Sequence, residues 1–191
     1  MLNAGQDLQN NIPEGWSYNP SAWPQRIPLL IVAACGFLIA LYLGLYQLHV
    51  FSKVWEPFFG NGTKKVLTSS VSRSLPVPDG IVGALGYLTD LVTGIVGKEK
   101  RWKTKPWIII IFGFAVGPLG MISILLVILQ PVLLHTWCTL CLCSAFISIL
   151  MISPALDELL ASLQYLKKVR KRGKPVWKAF WGEKEFENEV K

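Results

Sequence analysis

Two cysteines three positions apart, Cys138 and Cys141, are the residues of this chain best suited to do chemistry. A close cysteine pair alternates between a dithiol and a disulfide, and each cycle moves two electrons. Soluble redox folds place such a pair in a βαβ unit, but here residues 107–134 and 142–156 flank it as apolar runs without a charged residue. This position indicates electron exchange with a protein in water or with a lipophilic molecule in the bilayer.

The apolar run after the pair predicts a helix that begins at the pair itself. Cys138 is then in the first turn, where free N–H groups and the helix dipole favour a thiolate. Cys141 follows one turn later on the same face, within reach of a disulfide. Two other interpretations stay open: two buried cysteines without chemistry, or a soft-metal site that adds His135 and Cys143. Cys143 points to a different helix face, which weakens a four-ligand site.

The composition indicates a membrane protein. The chain has 191 residues, of which 52% are hydrophobic and 16% charged, with a mean hydropathy of +0.42; a soluble domain would be about a quarter charged. Several apolar runs approach the roughly 20 residues that cross a bilayer as a helix. The net charge of +7 lies mostly between and after these runs, so it fits membrane topology and no nucleic-acid partner is expected.

The predicted fold class is an all-α, four-transmembrane-helix bundle. The predicted spans are residues 27–50, 79–97, 107–129 and 137–153. The second is rich in glycine, which permits close helix contact. Between the first two, residues 63–75 carry apolar side chains at helical spacing, predicting a short amphipathic helix in the membrane interface. The predicted segments are a polar N-terminal tail (1–26), the transmembrane domain (27–153) and a basic cytoplasmic helix and tail (154–191).

The distribution of basic residues predicts the orientation. Residues 98–106 and the tail after the fourth span are strongly basic, whereas residues 130–136 carry no lysine or arginine. Both termini are therefore expected in the cytoplasm, and Cys138 on the far side. In a bacterial inner membrane that side is the periplasm, an oxidising space. The basic residues of the first connection oppose this orientation. The basic run after the fourth span is expected to contact anionic lipid headgroups.

Three residues inside the apolar runs have structural as well as functional interpretations. Cys35 and Cys143 are predicted to be buried small hydrophobes. Asp90 is either a functional intramembrane acid or, as we favour, a residue near the cytoplasmic end of the second span that reaches Lys98 or Lys100.

The layout resembles the vitamin K epoxide reductase family: four spans, a long far-side connection and a Cys-x-x-Cys pair heading the fourth span. Its most specific segment is residues 137–142, Trp-Cys-Thr-Leu-Cys-Leu, and residues 52–55 and 78–83 are also similar to family segments. The resemblance implies a membrane thiol–disulfide oxidoreductase. In this family the pair faces a quinone inside the bundle, and a thioredoxin-like protein donates the electrons.

The resemblance also implies roles for individual residues. Cys138 and Cys141 match the active pair, with Cys141 attacking the quinone, and the positions of Trp55, Asp79 and Tyr87 match its quinone pocket approximately. The chain departs from the family because its connection at residues 51–78 contains no cysteine, where two relay cysteines are usual. Either a partner thiol reaches the active pair directly, or the protein is a non-catalytic quinone-binding, lipid-binding or assembly protein of the same fold. Soft-metal binding is the third alternative.

Overall fold

The computed structural model describes residues 12–69, 72 and 77–182, and within these ranges it contains helices and no strand. The predicted all-α class is confirmed for this part of the chain. In chain order the helices are α1 (Trp23–Gln47), α2 (Gly62–Leu67), α3 (Asp79–Ile95), α4 (Arg101–Thr104), α5 (Pro106–Leu134), α6 (Thr139–Lys171) and α7 (Val176–Trp181).

Three of these helices, α1, α5 and α6, are long and apolar enough to cross a membrane. They contain 25, 29 and 33 residues, and at about 1.5 Å per residue even the shortest exceeds the roughly 30 Å hydrocarbon core. The chain is thus a membrane-embedded protein. Helix α3 has 17 residues, so its predicted role as the second of four spans stays a prediction.

The predicted interfacial helix corresponds only in part to an observed element. Helix α2 covers Gly62–Leu67, and its residues Thr63, Val66 and Leu67 are buried. Residues 70, 71 and 73–75 of the predicted helix lie outside the described residues, as do residues 1–11 and 183–191 of the two predicted tails. The position of α2 in a membrane interface stays a prediction.

Helix α6 continues well beyond the predicted end of the fourth span. It passes without interruption through Pro154 to Lys171, whereas the sequence predicts a boundary near Ser153. Proline removes one backbone hydrogen bond, and a long helix tolerates this loss when the surrounding structure satisfies the freed group. The predicted segment boundary at 153 is therefore not the end of a helix.

The described chain forms two compact units. The disulfide unit comprises residues 30–92 and 115–152. Its core brings together Leu43, Val66, Leu67, Cys138 and Leu140. Helices α1 and α3 approach closely in this unit, because a Cβ atom at Gly80 would lie 2.5 Å from the backbone nitrogen of Gly44. The expected close contact at the glycines of the second span is confirmed there.

The second unit, which we call the Arg101 unit, comprises residues 12–29, 93–114 and 153–182 of the described chain. Its centre is an ion pair between Arg101 and Glu158, which are 1% and 2% exposed. The Arg101 guanidinium also donates to the carbonyl of Thr93 at 2.6 Å, and that of Arg26 donates to the carbonyl of Gly94 at 2.9 Å. Both arginines thus satisfy carbonyls of the last turn of α3, which would otherwise lack donors.

These arginines correct part of the charge analysis. Counting residues 98–106 and the N-terminal tail as loops treats Arg101 and Arg26 as solvated charges, but both are buried. They are held by a carboxylate and by helix C-terminal carbonyls, interactions that residue counts do not reveal.

Candidate redox site

Cys138 and Cys141 form a disulfide, with their Cα atoms 5.2 Å apart. Cys138 directly precedes α6, and its sulfur accepts the backbone N–H of Cys141 at 3.1 Å. This is the arrangement of an N-cap residue, in which a side-chain acceptor satisfies a free N–H of the first turn. The same N–H and the helix dipole would stabilise a Cys138 thiolate after reduction. Cys138 is 0% exposed, whereas Cys141 is half-buried.

A glutamine in the preceding helix fixes the backbone of Cys138. The Cys138 N–H donates to Oε1 of Gln130 at 2.9 Å, and Gln130 is 3% exposed. The turn between the two residues includes His135, whose φ of 49° lies in the left-handed region that few residues other than glycine adopt. Gln130 and His135 mark only a tight turn in the sequence, and the hydrogen bond of Gln130 to the cysteine is not predicted.

A single carboxylate, that of Glu56, binds the N-termini of two helices. It accepts the Thr139 N–H at 3.2 Å and the Thr63 N–H at 3.1 Å, together with the hydroxyl groups of both threonines. Thr139 is the first residue of α6, and Thr63 is the second residue of α2. A carboxylate is a favourable partner there, because it supplies both acceptors and negative charge.

The environment of Glu56 keeps it ionised. Burial by itself raises its pKa, but the hydrogen bonds from Thr139 and Thr63 outweigh this effect and lower the pKa to about 2. Sequence reasoning missed Glu56. The available signal is that it is the sole acidic residue of the connection at residues 51–78, between two lysine-bearing segments.

A cavity of about 100 Å³ lies beside the second cysteine of the pair. Its wall is mostly apolar, with a few polar groups, and includes Cys141, Ser72, Asp79, Ser123, Gln130 and Ser144. A second cavity, also of about 100 Å³, is lined by Tyr87, Asp90 and Ser148, and shares Asp79, Ser123 and Ser144 with the first. Both cavities belong to the disulfide unit.

The structure brings some of the predicted site residues together and leaves one apart. Asp79 lines both cavities, and its Oδ1 accepts from the Ser72 hydroxyl at 3.1 Å and from the Gln47 amide. Tyr87 is buried in the wall of the second cavity, where its hydroxyl donates to the Ser144 carbonyl at 2.7 Å. Trp55 is 61% exposed, and its backbone N–H donates to the Tyr42 hydroxyl at 3.1 Å.

Asp90 is more buried than a residue at a solvated helix end would be. It is 4% exposed and lines the second cavity with Tyr87 and Ser148. A buried acid within an apolar helix is expensive and marks a candidate functional position. The favoured interpretation of Asp90, a partner for Lys98 or Lys100, stays a prediction.

The remaining cysteines are placed differently from the expectation. Cys35 and Cys143 are free and exposed, so the prediction that they are buried inside the protein is wrong. Both lie on long apolar helices, whose outer faces meet lipid rather than water and can therefore carry small apolar residues.

The described residues contain no cluster of three histidine, cysteine or acidic side chains that could hold a metal ion. The soft-metal alternative needs Cys138, Cys141 and His135 as such a cluster, and two of these side chains are joined as a disulfide. The cavity beside Cys141 instead suits a flat apolar ring with polar edges, because it combines an apolar wall with hydroxyl, amide and carboxylate groups.

These features define a class: a membrane-embedded helical protein with a cysteine pair at the head of a long apolar helix and a cavity lined by the second cysteine. The model of the vitamin K epoxide reductase family matches residues 27–155, more than half of the chain. The chain belongs to this family. Membership implies a membrane thiol–disulfide oxidoreductase that works with quinones. No curated protein and no solved structure matches the chain.

Proposed function

We propose that the protein passes electrons between the Cys138–Cys141 pair and a quinone bound in the cavity beside Cys141, coupled to a thioredoxin-like thiol protein. The observation that carries the proposal is the position of Cys141: one cysteine of the pair lines a cavity with polar groups, in a chain of this family. Cys138 packs in one core cluster with Val66 and Leu67 of the connection between α1 and α3.

The chemistry balances without a further reactant. Oxidation of the two thiols to a disulfide releases two electrons and two protons, and a quinone takes up both to become a hydroquinone. Cys141 is the thiol that meets the quinone, and Cys138 closes the disulfide. A partner dithiol then restores the pair by thiol–disulfide exchange, becoming a disulfide itself.

The polar lining supplies orientation. Asp79 and the serine hydroxyls of the cavity can bind the oxygen atoms of the ring, since hydroxyls donate to carbonyls and an ionised carboxylate accepts from hydroxyls. Tyr87 supports this wall through its hydrogen bonds to Ser144 and, at 2.8 Å, Ser148. Trp55 enters the proposal through the resemblance alone, as an aromatic residue of the loop.

We propose a four-span topology in a cell inner membrane, with α3 as the second span. Both termini are then cytoplasmic and the cysteine pair is periplasmic. Support comes from the basic residues after the second and fourth spans, and from the uncharged turn that precedes the pair. The periplasm would supply both the oxidising surroundings and the partner thiol protein.

Thiol trapping in native membranes tests the proposed function. We expect a partly oxidised pair that shifts towards the dithiol when quinone is depleted, because the electrons then have no acceptor. Cys141→Ser should abolish quinone reduction, whereas Cys143→Ser, two positions away and outside the disulfide, should retain it. A pair whose redox state ignores quinone would contradict the proposal and favour a non-catalytic binding role.

A further inference from the structure

The position of Cys138 conflicts with its proposed use. Because Cys141 lines the proposed quinone cavity, the partner thiol is expected to attack Cys138, yet this residue is 0% exposed. Part of its cover comes from the connection between α1 and α3, because Val66 and Leu67 of α2 pack in the same core cluster. Access to Cys138 therefore requires this connection to move.

The hydrogen bonds of Glu56 oppose that movement. Glu56 belongs to the connection, and its carboxylate joins Thr63 of α2 to Thr139 at the head of α6. A second close approach lies next to it: a Cβ atom at Gly62 would collide with the carbonyl oxygen of Trp137, the residue before Cys138. Hydrogen bonds to an ionised carboxylate are stronger than hydrogen bonds between neutral groups, and all of them break together when the carboxylate moves away.

We propose that Glu56 is a latch: its carboxylate holds α2 closed over Cys138, and its release from Thr139 exposes the sulfur to a partner thiol. Glu56 is thus a positioning residue that controls which thiols reach the pair. The role of the latch in electron transfer rests on the proposed function, whereas the closure of α2 over Cys138 requires neither a quinone nor a partner. The connection contains no cysteine, so this closure is non-covalent and reversible.

Alkylation of a free Cys138 tests the latch directly. In full-length protein carrying Cys141→Ser and Cys143→Ser, Cys138 stays a thiol and the exposed Cys35 serves as a reference in the same molecule. The measurement is the rate of maleimide modification of Cys138 divided by that of Cys35. We expect a low ratio with Glu56 present, and a ratio about tenfold higher in Glu56→Ala, since opening limits access to a buried thiol.

Three further variants separate a latch from general loosening. Thr63→Val keeps the shape of the side chain and removes the hydroxyl hydrogen bond to Glu56. By itself it should therefore raise the ratio of the Cys138 rate to the Cys35 rate. In the Glu56→Ala background it should add little, because both changes break the same contact. Glu14→Gln, which removes an exposed acid in the Arg101 unit, should change nothing. Glu56→Asp, which retains the charge on a shorter side chain, should restore part of the slow rate.

The outcome is decisive in either direction. An unchanged Cys138 to Cys35 ratio in both Glu56→Ala and Thr63→Val would overturn the latch. Turnover gives an independent readout: opened variants should show a lower KM for the thiol donor, whereas general destabilisation would lower kcat without lowering this KM. The KM for the quinone does not separate the two, because Val66 and Leu67 of α2 also line the cavity beside Cys141. Fast alkylation in the Cys141→Ser background, together with no quinone turnover in proteins that retain Cys141, would support the latch and contradict the proposed function.

Discussion

At the scale of single residues, the two cysteines occupy different surroundings although only two residues separate them. Cys138 is enclosed and caps a helix, whereas Cys141 borders a cavity. This asymmetry fits a division of labour in which one sulfur meets a protein thiol and the other meets a small molecule. A helix start produces it, because residues one turn apart share a face but differ in depth.

Asp79 is expected to discriminate between the two redox forms of the ligand. A carboxylate oxygen accepts hydrogen bonds, so it pairs with a hydroquinone hydroxyl rather than with a quinone carbonyl. Asp79→Asn adds a donor while keeping the oxygen that accepts from Gln47. We expect a lower KM for quinone and weaker hydroquinone inhibition, each by about tenfold, in steady-state assays. Equal changes for both forms would contradict this role.

The low pKa of Glu56 predicts a pH dependence of stability. A carboxylate whose pKa falls to about 2 on folding contributes stability that is fully present above its ordinary pKa and is lost as the pH falls towards 2. The difference in Tm between the parent and Glu56→Gln should be constant from about pH 8 to 6 and shrink from about pH 5 to 3. Scanning calorimetry in detergent measures this difference; a gap that widens in acid would contradict the sign.

The sequence predicts the chemistry-bearing residues better than the residues that hold them. Cys138 and Cys141 are recognisable from type and spacing alone, since their partner is three positions away. Glu56 and Thr139 are 83 positions apart, and no local pattern links them. The family resemblance implies Asp79 as a residue of the quinone pocket, but it implies no glutamate that joins two helices.

At the scale of elements, the N-terminus of α6 organises the site. The backbone N–H groups at this helix start donate to three different acceptors. The Cys141 N–H donates to the sulfur of Cys138, the Thr139 N–H to the carboxylate of Glu56, and the preceding Cys138 N–H to the side-chain oxygen of Gln130. Each acceptor comes from a different part of the chain, so the helix start fixes the α1–α3 connection and α5 around the disulfide. Helix periodicity predicts α6 but cannot assign these acceptors.

The contact between α2 and the head of α6 depends on a glycine. Gly62→Ala would place a methyl group against the Trp137 carbonyl oxygen, which is backbone and cannot rotate away. We expect α2 to shift and the alkylation of Cys138 to accelerate by about tenfold or more. Gly117→Ala is the matched control, because its Cβ atom would meet open space. A Gly62→Ala protein with the parent rate would show that α2 does not cover the sulfur.

The lengths of elements were predicted less well than their existence. The sequence indicates apolar helices where α1, α5 and α6 lie, since long apolar runs have few alternatives in a membrane. It places the end of the fourth span near Ser153 and predicts a helix leaving the membrane after Pro154, and the structure joins the two as one helix that continues for 17 more residues to Lys171. The apolar spacing after Pro154 is the local signal that the helix persists.

At the scale of the whole molecule, the Arg101 unit depends on a buried ion pair. Removing one partner leaves the other charged and buried, so Glu158→Ala should lower the free energy of unfolding by about 3–5 kcal/mol. Thermal unfolding in detergent measures the loss. The control is Glu14→Ala, which removes the exposed partner of Lys168 and should leave Tm unchanged. If both variants unfold alike, the buried pair is not the stabilising centre of this unit.

Orientation is the property of the whole molecule on which the proposed electron route depends, and impermeant maleimide labelling of single cysteines in intact cells tests it. In a background without the four native cysteines, a cysteine at exposed Ser52 should react from outside, whereas cysteines at exposed Lys98 and Lys171 should react only after permeabilisation. The basic residues near Lys98 and Lys171 favour the cytoplasm, but Arg101 is buried in an ion pair and weakens one of these clusters. Labelling of Lys98→Cys from outside would move the pair to the cytoplasmic side, where other systems keep thiols reduced, and would contradict the proposed periplasmic route.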